Sequence, residues 1–477
     1  MDSLSLIAHF QKIIGKEYVL TDSNSMAPYL IDWRKLFRGK ALAVLLPKNV
    51  DEVAALVKQC HQMNIAIIPQ GGNTGLCGAA TPDNSNNQVV ISLKRLNHIR
   101  EIDKANLTMT VEAGCILQNI QETAASANCL FPLSLGAEGS CMIGGNLSTN
   151  AGGTNVLRYG NMRDLCLGLE VVTAEGEIWH GLRGLRKDNT GYDLRNLFIG
   201  AEGTLGIITA AVIKLFPMPI AQWTALVAVP HIHSAIQLLN LFQSQASVLL
   251  TGFEMMNRTS LAIVGKHFPQ MKNPLQPEPN YSILIELSDH ESEFHVKELF
   301  QTIIEKAFTD GLIEDAVIAS NLSQANTFWQ MREHITMAQV EENANLKHDI
   351  TLPLSKMEQF ILETGEKIEK QFPGIRTINF GHLGDGNLHY NFANPENMAS
   401  QDFQDQHQNT IAEIVYEQVE KFGGSISAEH GIGQLKLDKL RAHKGEVAHD
   451  LMIAIKKALD PKNILNPNKV LPKYTPK

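Results

Sequence analysis

The apolar positions of residues 42–69 fall into three blocks with different periods. Residues 42–46 are a short continuous apolar run, Val53, Leu56, Val57 and Cys60 recur at helical spacing, and residues 65–68 are apolar again. Asn49 followed three residues later by Glu52 reads as a helix start, so strand, helix and strand are expected in succession, a βαβ unit. Residues 207–216 read as a further strand. Pro217 and Pro219 are then expected to interrupt regular structure and to mark a domain boundary. Beyond them, strand-like segments (225–229, 282–287) alternate with helix-like ones (234–242, 293–308), which predicts an α+β domain with helices packed on one sheet face. Proline-rich residues 274–279 read as an exposed loop. The segment from Gly423 onward carries a helix ending near Leu459, before Pro461 and Pro467.

The alternation is cleanest at residues 387–392. Asn387, His389 and Asn391 share one face of a strand, and Leu388, Tyr390 and Phe392 point to the core. Gly384-Asp385-Gly386 can turn the chain and bring His382 back beside this strand. About forty residues later come Glu429 and His430. Two histidines around a turn, with a distant Glu-His pair, look like a metal site beside a proton-transfer site. Two histidines and a carboxylate suit zinc, iron(II), manganese or cobalt and leave coordination positions open. On the helix-like run 328–340, Trp329, Arg332 and Thr336 are spaced i, i+3 and i+7, with Arg332 and Thr336 one turn apart. An arginine fork matches a carboxylate in geometry and charge.

Three glycine tracts change the picture: Gln70-Gly71-Gly72-Asn73-Thr74-Gly75, the stretch from Gly136 to Gly153, and Gly200-Ala201-Glu202-Gly203-Thr204-Leu205-Gly206. Each abuts a predicted strand, and together they suggest a large phosphate-bearing cofactor held by close backbone amides. None fits G-x-G-x-x-G, and no P-loop pattern occurs. At 477 residues, two or more domains are expected, and 44% hydrophobic with 19% charged residues excludes a disordered chain. A formal charge of -9 without a basic run argues against nucleic acid as a partner. Six cysteines, all in the first 170 residues and without C-x-x-C, read as buried free thiols in a reducing compartment. With no signal-peptide pattern and no window near the ~20 apolar residues of a membrane span, a cytoplasmic protein is expected, peripheral attachment to the inner membrane being left open.

Nearly the whole chain is similar to flavoproteins of the vanillyl-alcohol oxidase type. Within them it resembles the FAD-linked D-2-hydroxyacid dehydrogenases, above all those acting on D-2-hydroxyglutarate. Residues 69–75 resemble the family's pyrophosphate loop and 139–153 its second flavin loop, with further likeness at 186–194, 200–208 and 459–467. The resemblance implies an α+β architecture: an FAD-binding domain of two α+β subdomains (1–217), an α+β substrate-binding cap (218–422), and a C-terminal helical segment (423–477) that completes the site. It implies FAD contacts at Pro69, Gly71, Gly72, Asn73, Thr74, Gly75, Leu76, Pro132, Gly136, Gly139, Ser140, Gly144, Gly145, Asn146, Asn150, Glu202, Gly206, Ile207 and Asn466. The first loop holds no histidine, so non-covalent FAD is expected.

By the same resemblance, His382, His389 and Glu429 would ligate a metal, zinc being the first choice, and His430 would take the substrate hydroxyl proton. Arg332, Thr336, Lys347 and Asn391 would hold the substrate. Lys347-His348-Asp349-Ile350-Thr351-Leu352-Pro353 is similar to the stretch whose lysine helps hold a dicarboxylate, although a surface lysine paired with Asp349 stays open. Oxidation of D-2-hydroxyglutarate to 2-oxoglutarate is therefore expected. The same chemistry on D-lactate or glycolate remains an alternative, as do a metal-dependent hydrolase and a non-catalytic flavin-binding protein. The electron acceptor is left open between an electron-transfer flavoprotein, a quinone and a soluble carrier, and a homodimer is expected.

Overall fold

The computed structural model describes residues 3–343, 346–396 and 398–472. The chain divides into two compact units. Met1–Gly152, Gly160–Met218 and Glu429–Lys477 form the first, and Gly153–Tyr159 with Pro219–Ala428 the second.

In the first unit the predicted strand-helix-strand is present as Ala43–Leu45, Val50–Met63 and Ala66–Gln70. Asn49 Oδ1 accepts the Glu52 N–H at 2.9 Å, the expected helix start, and Val53, Leu56, Val57 and Cys60 are fully buried. The two strands are not neighbours. Strand Gln88–Ser92 lies between them and is parallel to both, giving the order Val19–Leu20, Ala43–Leu45, Gln88–Ser92, Ala66–Gln70. A second, antiparallel sheet runs Ile99–Asp103, Thr108–Glu112, Ile207–Lys214, Cys166–Val172, Ile178–Gly181. Pro217 does not interrupt regular structure as expected. It sits in the two-residue strand Phe216–Pro217 paired with Cys129–Leu130, a ribbon so short that the missing proline N–H is tolerated. The returning chain is stitched onto the first sheet, since Ile67 N–H donates to Ile464 O (2.7 Å) and Asn466 N–H donates to Ile67 O (2.8 Å). All six cysteines are buried and free, as the spacing suggested.

The second unit is built on one seven-stranded antiparallel sheet in the order Asp315–Ile318, Ala221–Val229, Tyr281–Asp289, Leu250–Asn257, Arg376–His382, Asn387–Ala393, Asp349–Thr351. Helices cover both faces, not one. Ala225, Val227 and Val229 enter one core with helices Ile232–Ala246, Glu293–Thr309, Leu354–Gln371 and Ser400–Lys421, while Leu226 and Ala228 enter another with Arg258–His267 and Leu322–Glu341. The cause is legible in the strands, which are apolar at odd and even positions alike, the signature of a sheet buried on both sides. No described helix is long and apolar enough to cross a membrane.

Candidate active site

The second sheet face carries the polar side chains. Register pairs Glu254 with His382 and Phe380 with His389, and pairs Asp349 with His389 across the last strand. After His382, the turn Leu383–Asp385 and Gly386 (φ 81°) reverse the chain. A Cβ at position 386 would stand 2.4 Å from Leu352 O, so both backbone angle and space require glycine there. His382 and His389 come together with ring centroids 5.8 Å apart, and Leu388, Tyr390 and Phe392 point into the opposite core.

Glu254, 1% exposed, organises this face. Its Oε1 lies 2.7 Å from His382 Nδ1, and its Oε2 accepts Arg332 Nε–H at 2.8 Å. Burial would raise this carboxyl, but its electrostatic and hydrogen-bonding interactions with His382 and Arg332 outweigh it and hold the group down to about 2. An ionised carboxylate can only accept, so Glu254 keeps the His382 proton on Nδ1 and turns the Nε2 lone pair away from itself. Arg332 NH2 lies 3.5 Å from that Nε2, and the guanidinium stacks over Phe380 at 5.1 Å. Arg332 is thus buried, whereas Thr336 one turn on is exposed. On the far strand, Asp349 Oδ1 lies 3.7 Å from His389 Nδ1 and accepts Asn387 Nδ2–H at 3.0 Å. Asn391 accepts the His348 N–H (2.8 Å) and donates to Gln339 Oε1 (2.9 Å), which fixes the strand just after the half-buried Lys347.

The first unit holds an open cleft whose empty space, counted out to the solvent, is about 830 Å³. Residues 69–75, 144–146, 202, 206–207 and 466 line it, which covers most of the expected FAD set. Leu76, Pro132, Gly136, Gly139, Ser140 and Asn150 do not line it. Asn150 Oδ1 instead accepts Arg163 N–H at 2.9 Å, so this side chain is spent within the fold. Asn146 Oδ1 and Asn466 Oδ1 are buried on the cleft wall without a hydrogen-bond partner in the protein, an arrangement that fits a polar ligand. The glycines divide into two kinds. A Cβ at Gly72 would stand 2.2 Å from Ser140 O and one at Gly144 2.7 Å from Ala113 Cβ, so these let one loop pack on the next; a Cβ at Gly145 would meet nothing within 4 Å. Glu429 and His430 are half-buried on the loop that follows in this unit, and Glu202 accepts the N–H groups of Ile432 (2.7 Å) and Gly433 (2.9 Å). Burial pushes the Glu202 carboxyl up to about 7, against the pull of those amides, Lys436 and Lys469.

The sequence matches the model for the FAD linked oxidases, C-terminal domain, over residues 218–470, and the model for the FAD binding domain over 41–181. The chain belongs to the FAD-linked oxidase family. The chain is 39% identical, over 98% of its own length and 81% of the relative's, to a probable mitochondrial D-2-hydroxyglutarate dehydrogenase of Oryza sativa subsp. indica. It is 36% identical, over 98% of its length and 84% of the relative's, to mitochondrial D-2-hydroxyglutarate dehydrogenase of Rattus norvegicus. Its fold is shared with p-cresol methylhydroxylase at a TM-score of 0.77, with 18% identity over 98% of this chain and 97% of that one. Family membership sets the hydrolase alternative aside and supplies the group that the cleft fits. Leu93 also lines that cleft and was missed, because nothing in its local pattern marks it, whereas Ser148 and Thr149 line it from within the second glycine tract without having been singled out. Glu254 was missed too, although a lone carboxylate in the apolar run 250–256 signals a buried partner.

One prediction follows from Gly145. Because a Cβ added there would meet no protein atom within 4 Å and the position lines the cleft, Gly145→Leu should fold, with its flavin-free form melting close to flavin-free wild type, yet bind FAD at least about tenfold more weakly. Flavin absorbance of the purified variant checks this; normal flavin content would mean that the cofactor lies elsewhere.

Proposed function

We propose that this FAD-linked oxidase oxidises D-2-hydroxyglutarate to 2-oxoglutarate. The observation that carries the reading is the buried Arg332 held by Glu254 beside His382 and His389, since it offers a fixed guanidinium next to a potential metal-binding pair. FAD, held non-covalently, supplies the acceptor for the Cα hydride. Asn73, where a covalently attaching histidine is absent, already donates to Ile31 O at 2.8 Å. His382, His389 and Glu429 form the ligand set for a divalent ion, zinc by preference, which as a Lewis acid favours the deprotonated hydroxyl. Ala428 N–H donates to Asp349 O at 3.4 Å, and Asp349 is the register partner of His389; Glu429 is the next residue in the chain. That continuity supports the ligand set.

The chain's own residues then divide the work. His430 accepts the hydroxyl proton as general base. Arg332 binds the carboxylate beside the reacting carbon, Thr336 and the second amide N–H of Asn391 orient it, and Lys347 neutralises the distal carboxylate. The bracketing of His348 by Asn391 and of Asp349 by Asn387 and His389 supports a fixed Lys347 backbone. A homodimer and a cytoplasmic location, with an electron-transfer flavoprotein or quinone as acceptor, complete the reading; six buried free thiols support a reducing compartment.

Anaerobic mixing with D-2-hydroxyglutarate, with D-lactate in parallel, tests it through flavin bleaching. Rapid bleaching by the dicarboxylate is expected, and bleaching by D-lactate alone would overturn the substrate. Lys347→Ala should raise the half-saturating concentration of D-2-hydroxyglutarate by about 10–100-fold, the effect of losing one charge-assisted contact, while leaving D-lactate little changed. An equal effect on both substrates would remove Lys347 from the specificity role.

A further inference from the structure

Glu202 stands in a stretch of unusual backbone. Gly200 (φ 80°), Glu202 (φ 52°) and Gly203 (φ 71°) are all left-handed. Glycine would adopt φ 52° without steric cost, whereas a residue with a Cβ does so under strain, so the side chain at 202 must be held by its surroundings. It is: the residue is 6% exposed, Oε1 accepts Ile432 N–H at 2.7 Å, and Oε2 accepts Gly433 N–H at 2.9 Å. Close approach depends on the loop's own glycine, since a Cβ at Gly431 would stand 2.6 Å from Glu202 Oε1. A second clamp acts just beyond, where Gln434 N–H donates to Cys77 O at 2.8 Å. The same glutamate lines the flavin cleft, and its carbonyl accepts Asn466 Nδ2–H at 2.7 Å, Asn466 Oδ1 being one of the two buried acceptors on the cleft wall.

Each carboxylate oxygen of Glu202 is therefore engaged by the loop that follows His430, while its main-chain carbonyl is engaged by Asn466. We propose that Glu202 is a positioning residue for proton transfer, its carboxylate registering the Glu429-His430 loop against the flavin cleft. The inference rests on the function proposed above and adds a residue that touches neither substrate nor reacting atoms. A general base must lie within hydrogen-bond reach of its proton, and a displacement of about 1 Å costs up to about 10²-fold in rate. Fixing two successive amides two and three residues after His430 limits such a displacement.

The test compares holoprotein carrying Glu202→Gln or Glu202→Ala with wild type. In Glu202→Gln the amide oxygen can serve one N–H, but its NH2 group faces the other donor, so one of the two bonds is lost. Three quantities are read: FAD per chain, hydrogen exchange of the peptide spanning 429–433, and the anaerobic rate of flavin reduction as D-2-hydroxyglutarate is varied. Expected are normal FAD content, faster exchange confined to that peptide, and a limiting reduction rate lowered about tenfold in Glu202→Gln and further in Glu202→Ala. The half-saturating substrate concentration should stay within about threefold, because the carboxylate contacts are untouched. Flavin loss in proportion to the lost rate would overturn the proposal and make Glu202 a cofactor ligand. Unchanged exchange, or an unchanged limiting rate, would overturn it as well. If Glu202→Ala does not fold, the Gln variant alone decides. Wild type separates this outcome from the functional reading: a flavin that D-2-hydroxyglutarate does not reduce defeats the proposed function, and the exchange data still judge the clamp.

Discussion

On the base role proposed for His430, its replacement by asparagine should slow flavin reduction by D-2-hydroxyglutarate about 10²–10⁴-fold, the usual worth of a positioned general base. Asparagine keeps a hydrogen-bonding edge but cannot take up a proton, so substrate binding through the contacts proposed for Arg332 and Lys347 should persist. The loop should also survive, because its anchors are the backbone N–H groups of Ile432 and Gly433 and not the imidazole. Stopped-flow reduction of the flavin measures this directly, and the remaining rate should respond weakly to pH. A variant within threefold of wild type would move the base elsewhere.

The second large effect is expected at Glu254. Removing its charge leaves Arg332 without its buried counter-ion and frees the His382 proton to move between the two ring nitrogens. Breaking one side of a buried ion pair costs about 3–5 kcal/mol, and loss of a carboxylate that orients a ligating histidine weakens metal affinity about 10–100-fold. On the ligand set proposed above, Glu254→Gln should lose bound zinc on dialysis against a chelator concentration that wild type withstands. Flavin reduction should fall by about 10–100-fold, in step with the weakened metal site, and excess Zn²⁺ should restore part of it. Metal content equal to wild type, by elemental analysis after the same dialysis, would deny Glu254 this role.

Particular residues show where the sequence was readable. The strand Asn387–Ala393 and the turn before it are visible because a two-residue period and a G-x-G turn are local signals, and helix Val50–Met63 announces itself through Asn49 and its buried stripe. Glycine tracts pointed to the cofactor cleft, but not to the fact that Gly72 and Gly144 serve loop packing while Gly145 faces open space. That distinction depends on which loop lies opposite. The Glu254–His382 pair spans 128 residues and exists only because strands Leu250–Asn257 and Arg376–His382 pair in one register. Register is set by tertiary packing and leaves no trace in either segment alone. Helices on both faces of the large sheet were foreshadowed by the two-sided apolar runs, a signal present but read as a one-sided sheet.

The cofactor cleft is assembled from opposite ends of the coding order: residues 69–75 and 144–146 on one side, Asn466 and the Ile464–Ile67 backbone bond on the other. On a ribosome adding about 5–20 residues per second, the interval between the emergence of Met218 and that of Asn466 is on the order of ten to fifty seconds. During it, the uninterrupted segment Pro219–Ala428 can fold as it appears, while the flavin pocket waits with an open wall. Closure of the FAD cleft is therefore a late step of biosynthesis, and a premature stop between Ala428 and Asn466 should leave every strand of the large sheet in the chain while removing part of the wall that retains flavin.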